Sequence, residues 1–118
     1  MYPIVDLSKK YNLEIIEDVA QAHGAMYKGQ KVGTFGVGCF SFYPTKPLGA
    51  LGDGGAVSTD DQNLSLKIRQ LASYGELEKN KSHCVGRNSR LDEVQASFLL
   101  EKMKRLAEIT SWKQELAH

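Results

Sequence analysis

An α/β fold is what this 118-residue sequence predicts. Three observations carry that expectation. Short β-rich runs alternate with segments of helical apolar spacing. Glycine-containing turns lead one such run into the next. The last quarter of the chain carries one long apolar stripe of roughly helical period.

Residues 3–13 place Ile4, Leu7 and Tyr11 at helical spacing, and Pro3 is acceptable in a first turn. Residues 14–20, EIIEDVA, are short and β-rich and read as a buried strand. A Lys-Gly turn within 26–33 suggests a small hairpin. Two further strands are expected at 37–44 and 54–60, after which Asp60 or Asp61 caps a helix over about 61–74 with Leu64, Ile68 and Leu71 on one face. Residues 75–88 are polar and read as irregular. From Ser89 onward Leu91, Val94, Phe98, Met103, Leu106, Ile109 and Trp112 predict one long helix, 89–118, whose roughly 25 residues would span about 40 Å. A three-strand core cannot cover that length. No repeat or low-complexity linker interrupts the pattern.

Composition limits the function classes. The length is that of one domain. Fifteen Lys and Arg balance fourteen Asp and Glu, which argues against binding nucleic acid or a membrane surface. No apolar run approaches the roughly 20 residues of a spanning helix, and no signal-peptide pattern opens the chain. Cys39 and Cys84 have neither CxxC nor zinc spacing, so free thiols in a cytoplasmic protein are expected, with no metal site.

The segment SFYPTKPLGALGDGGAV (41–57) holds Lys46 at a strand end, between Pro44 and Pro47. A solvated loop lysine is the bland reading. The chemical reading is a positioned amine: prolines restrict the backbone around it, and Phe42, Tyr43 and Leu48 offer the apolar surroundings that disfavour an ammonium. Such an amine bonds to carbonyl compounds, either a substrate or pyridoxal 5'-phosphate (PLP). A PLP site also needs a carboxylate facing the ring nitrogen and donors for the phosphate. In IIEDVAQAHGA, Asp18 ends an otherwise apolar strand, Ala20 would share its face and lie flat against a ring, and Gln21 can donate to a ring oxygen. The alternative for Asp18 is a strand-end cap on the following loop. GTFGVG (33–38) is not a dinucleotide loop, because a strand follows it where that motif needs a helix N-terminus. Gly52, Gly54 and Gly55 read as a tight turn. His23 and His83 could approach a substrate but read more simply as structural.

IIEDVAQAHGA, VGTFGVGCFSFYPTKPLGALGDGGAV and GRNSRLDEVQA together resemble, in order, the signatures of the DegT/DnrJ/EryC1/StrS family of PLP-dependent sugar aminotransferases. The resemblance covers nearly the whole chain. It implies that Lys46 is the Schiff-base lysine and moves the proton, that Asp18 pairs with the pyridine nitrogen, that Gln21 bonds the ring hydroxyl and that Ser41 holds the phosphate. Asn88 resembles the asparagine that reaches a partner subunit's cofactor phosphate; read alone, Ser41 is an ordinary strand serine and Asn88 a helix cap. Members of the family transfer an amino group, commonly from glutamate, to the keto group of a nucleotide-linked sugar, in cell-surface polysaccharide or amino-sugar biosynthesis. The implied fold is the aspartate-aminotransferase type (fold type I), with a large α/β domain, a smaller C-terminal domain and a homo-oligomeric assembly.

Val19, Arg87 and Pro47 depart from residues common in the family, and none of these changes removes a catalytic group. Length is the larger departure. Residues 1–118 are expected to form a single partial large domain, starting mid-domain and ending in the helix that would bridge to the small domain. Uncovered sheet edges and apolar faces would then favour association. The alternative to an aminotransferase is a non-catalytic remnant or oligomerising module. A sugar dehydratase of the same family is disfavoured by Lys46, which that branch replaces with histidine.

Overall fold

The computed structural model describes residues 1–117. Three sheets and four helices follow in the order α1 (Tyr2–Tyr11), β1 (Ile16–Asp18), β2 (Met26–Tyr27), β3 (Gln30–Lys31), β4 (Val37–Ser41), β5 (Gly55–Ser58), α2 (Gln62–Ala72), β6 (Glu76–Glu78), β7 (Lys81–Ser82), α3 (Glu93–Met103) and α4 (Leu106–Ala117). The α/β expectation holds.

The central sheet has the order β1-β4-β5. Asp18 is level with Cys39 in the parallel β1–β4 pair, and Cys39 is level with Val57 in the antiparallel β4–β5 pair. β2 and β3 form the expected hairpin, which lies within the crossover from β1 to β4. Tyr2, at the start of α1, meets Tyr27 edge to face with centroids 5.5 Å apart, tying that helix to the hairpin. Asn12 ends α1 in the left-handed conformation (φ 51°), where Asn is better tolerated than most residues. Asp61 caps α2 by accepting from the Asn63 and Leu64 amides at 2.8 and 3.2 Å.

Three elements differ from the sequence reading. First, β1 is not a buried apolar strand. Ile16 is 73% exposed while Glu17 is only 7% exposed. Glu17 is tolerated because its carboxylate accepts the Gly33 and Phe35 amides at 2.8 Å each and the Gly36 amide at 3.1 Å. Secondly, 75–88 is not irregular. It contains the β6–β7 hairpin, whose turn includes Asn80 at φ 64°. Thirdly, the single helix expected over 89–118 is two helices, starting at Glu93, with Lys104 and Arg105 between them. No Gly or Pro causes this break. The ladder tightens instead, with the Arg105 amide donating to the Lys102 carbonyl at 3.0 Å before the four-residue spacing resumes at Ile109–Arg105. The joint falls where contact passes from the loop after Lys46, held by Lys102, to the 19–25 loop, where Leu106 lies beside Gly24. Residue 118 of the expected helix lies outside the described residues.

One small core joins Leu48, Ala50 and Leu99, with Phe42, Leu91 and Leu106 packed around it. It does not close the molecule. The chain is a slab of 53 × 42 × 18 Å with a radius of gyration of 16.5 Å, against about 13.5 Å for a compact domain of this length. Its accessible surface is 9005 Å², where a self-contained globule of this mass would show about 6,400 Å². The excess over a closed globule is roughly 2,600 Å². Ile4, Leu7, Val94, Trp112 and Leu116 all contribute to it.

Candidate active site

Strand alternation decides which residues face together. Asp18, Cys39, Ser41 and Val57 lie on one face of the central sheet, and Glu17, Gly38 and Phe40 on the other. Strand spacing and rise put the Asp18 and Ser41 Cα atoms about 8 Å apart. Their face is open: Asp18, Ile16 and Val57 are exposed and Ser41 is half-buried. Glu17 fastens the other face to the 33–36 loop, so one strand separates a structural carboxylate from an accessible one.

Asp18 uses Oδ1 to accept the Ala20 amide at 3.0 Å. The loop-capping alternative is thus realised, yet Oδ2 has no hydrogen-bond partner among the described residues. Ala20 does not continue the strand face as the sequence reading expects. β1 stops at Asp18, and Ala20 lies in the following turn, half-buried, next to exposed Gln21.

Lys46 sits in a closed lobe at the end of β4. The Ala50 amide donates to the Phe42 carbonyl at 2.7 Å and closes its neck. Within it the Lys46 amide donates to the Tyr43 carbonyl at 2.9 Å, and the Tyr43 amide donates to Ser41 Oγ at 3.3 Å. Gly49 passes so close to the Pro44 carbonyl that no side chain fits between them. Lys46 is half-buried, and its Nζ makes no hydrogen bond or ion pair among the described residues. Of the expected apolar surroundings, Phe42 and Leu48 belong to the core and Tyr43 is exposed.

His23 adjoins this lobe. It is 6% exposed, its ring lies 5.8 and 5.9 Å from the Phe40 and Phe42 rings, and neither nitrogen has a hydrogen-bond partner. Burial holds its pKa below the ordinary value. The Ser41 main chain opposes that shift without forming a bond of good geometry, and the Lys46 charge adds to it. His23 is thus a buried ring packed between Phe40 and Phe42 beside the Lys46 lobe. His83 is exposed, in the stretch after β7.

Asn88 is exposed and pairs its backbone with Ser73, and its Oδ1 accepts from Arg90 Nε at 3.3 Å. It does not cap the next helix; Asp92 holds that position. Asn88 and Leu51 border a cavity of about 750 Å³ with the 90–95 segment. No hydrogen bond joins Asn88 to Asp18, Ser41 or Lys46 among the described residues. Cys39 and Cys84 are free thiols. Among the described residues no three His, Cys, Asp or Glu side chains converge as metal ligands, and no helix is long and apolar enough to cross a membrane.

Sequence reasoning missed Glu17, Gln95 and Lys102. The Glu17 signal was a second acidic residue beside Asp18, which alternation had to send to the opposite face. Gln95 and Lys102 act across 44 and 53 residues and left no local signal.

The arrangement suits a flat, anionic, carbonyl-bearing cofactor. A free carboxylate oxygen and a hydroxyl share an open face, and an unpaired amine follows on the same strand's loop. The family model of the DegT/DnrJ/EryC1/StrS aminotransferases matches residues 1–118. The chain belongs to this family. A dTDP-3-amino-3,4,6-trideoxy-alpha-D-glucose transaminase of Streptomyces venezuelae is 48% identical over 108 residues, covering 91% of this chain and 28% of that protein. A UDP-N-acetyl-3-dehydro-alpha-D-glucosamine 3-aminotransferase of Acidithiobacillus ferrooxidans is 50% identical over 105 residues, covering 88% and 28%. The crystal structure of S. venezuelae DesV in complex with a ketimine intermediate superposes with a TM-score of 0.88 at 45% identity, over 92% of this chain and 29% of that one. The aminotransferase fold expected from the sequence is therefore the fold observed. The chain spans less than a third of the length of these DegT/DnrJ/EryC1/StrS relatives.

Proposed function

We propose that this chain carries the lysine-bearing part of a PLP-dependent aminotransferase site that acts on a nucleotide-linked keto sugar, with an amino acid, glutamate by the family resemblance, as donor. The observation that carries the reading is the shared open face of Asp18 and Ser41 with Lys46 in the lobe that follows. Both transaminase relatives are named for nucleotide-linked sugars, one dTDP- and one UDP-linked, so the nucleotide stays open.

PLP would supply an electrophilic aldehyde and an electron-withdrawing ring, chemistry that side chains lack. Lys46 Nζ provides the amine for covalent attachment and, when free, accepts and returns the proton of the amino shift. Asp18 Oδ2 is the free acceptor that would hold a proton on the ring nitrogen. Ser41 Oγ already accepts from Tyr43 and keeps its own hydrogen to donate to a phosphate oxygen. Gln21 would donate its amide to the ring hydroxyl, and Ala20 leaves room for the ring. Asn88 would serve a partner copy's phosphate, which makes a homodimer part of this reading. The surface in excess of a closed globule supports that assembly, and it also supports the second reading, an oligomerising module without catalysis. The two free thiols suit the cytoplasm.

Incubation with PLP, reduction with borohydride and peptide mapping test the proposal. Label confined to Lys46, and lost in Asp18→Ala, is expected. Label scattered over surface lysines, or absent, rejects it in favour of the module.

A further inference from the structure

Helix α3 holds the Lys46 lobe by two polar side chains two turns apart. Gln95 Oε1 accepts the Leu51 amide at 2.9 Å. Lys102 Nζ donates to the Gly49 carbonyl at 2.6 Å. Residues 95, 99 and 102 fall on one helical face, and between the polar pair Leu99 is buried against Leu48 and Ala50. Gln95 also lies over Gly52, where an added Cβ would come within 2.9 Å of Nε2. The lobe is thus gripped on its exit side, from Gly49 to Gly52. Its own bonds close the neck at Phe42–Ala50 but leave the Gly49 carbonyl and Leu51 amide to α3.

We propose that Gln95 and Lys102 are positioning residues for Lys46. Neither touches the reacting atoms. Gln95 fixes the chain by accepting from it and Lys102 by donating to it, so the lobe can neither rotate about its neck nor slide along the helix. The amine then keeps its place relative to Asp18 and Ser41 without any bond of its own. The role in catalysis rests on Lys46 being the cofactor-bearing lysine; the grip itself does not.

Two readouts on the intact protein separate these claims. Without cofactor, hydrogen exchange at the Leu51 amide should quicken about five- to tenfold in Gln95→Ala, the worth of one ordinary hydrogen bond. It should stay slow in Gln95→Glu, which keeps an acceptor. With PLP and borohydride, labelling of Lys46 relative to the other lysines should fall in Gln95→Ala and Lys102→Met and recover in Gln95→Glu and Lys102→Arg. Should Gln95→Ala not fold, Lys102→Met with its Arg rescue decides alone. Unchanged exchange and unchanged selectivity overturn the inference. So does faster exchange spread evenly through β4 and β5, which would make α3 a general support. A wild type unlabelled at Lys46 sinks the proposed function, while the exchange comparison still judges the grip.

Discussion

Glu17 and Asp18 are neighbours in sequence whose carboxylates serve opposite faces of the central sheet. Glu17 is buried among the amides of Gly33, Phe35 and Gly36, and Asp18 is exposed with one oxygen free. The first makes the second possible. A strand pinned by one carboxylate cannot slip register without moving the other to the wrong side.

Replacing Glu17 tests that division. Glu17→Gln keeps the shape but turns one acceptor oxygen into an NH2 group that confronts backbone N–H donors. At least one buried amide then loses its partner, which costs about 1–3 kcal/mol. Urea unfolding should show that loss, whereas Asp18→Asn, exposed and bound only to Ala20, should change stability by less than about 0.5 kcal/mol. Equal losses in the two variants would contradict the assignment.

The same pair shows how far the sequence could be read. The β-rich runs and the glycine turn between them were enough to mark β4 and β5. The common face of Asp18 and Ser41 rests instead on the β1–β4 register, and alternation along β1 pointed to Ala20, which lies beyond the strand's end. Apolar pattern misjudged β1 as well, because burial of Ile16 and exposure of Glu17 were the default. Only a loop 16–19 residues away reverses them. The β6–β7 hairpin was invisible for the opposite reason: its residues are mostly polar and exposed, with Leu77 alone apolar, so no apolar period marks it. The joint at Lys104–Arg105 has no breaker residue to announce it, and the reach of Gln95 and Lys102 to the lobe depends on tertiary packing alone.

His23 predicts a pH dependence. Its imidazole is held neutral by burial, so its folded pKa lies below the 6.5 of an unfolded chain. Above about pH 6.5 both states are neutral and this residue adds no slope. As pH falls below that value the unfolded chain binds a proton that the folded chain refuses, and stability declines until the folded pKa is reached. Urea unfolding between pH 8 and 5 should show this decline in the wild type and a smaller one in His23→Leu, which cannot titrate. Parallel curves would assign the effect to other groups.

Gly49 predicts a different failure. A Cβ there would meet the Pro44 carbonyl, with Pro44 C at 2.7 Å and Tyr43 O at 2.9 Å. All three are backbone atoms, so the lobe must open to admit it. Gly49→Ala should cost about 1–3 kcal/mol, as overpacking does, and should weaken selective labelling of Lys46. A variant with full stability and unchanged labelling would show that the lobe is not closed in solution.

The last prediction concerns the uncovered surface. Trp112 is 58% exposed on α4, near one end of a chain whose surface exceeds that of a closed globule by roughly 2,600 Å². An exposed indole makes few contacts to lose, so Trp112→Glu should leave the folding stability of the isolated chain within about 0.5 kcal/mol. If α4 is part of the face that covers itself with a second copy, the same change puts a charge into an apolar contact. Dimer dissociation should then strengthen by about 30-fold, the effect of losing an aromatic anchor worth ~2 kcal/mol. Light scattering across a concentration series reads this directly. A wild-type chain that stays monomeric throughout, or a variant that associates equally well, would remove α4 from the interface and leave its apolar residues to be covered by some other segment.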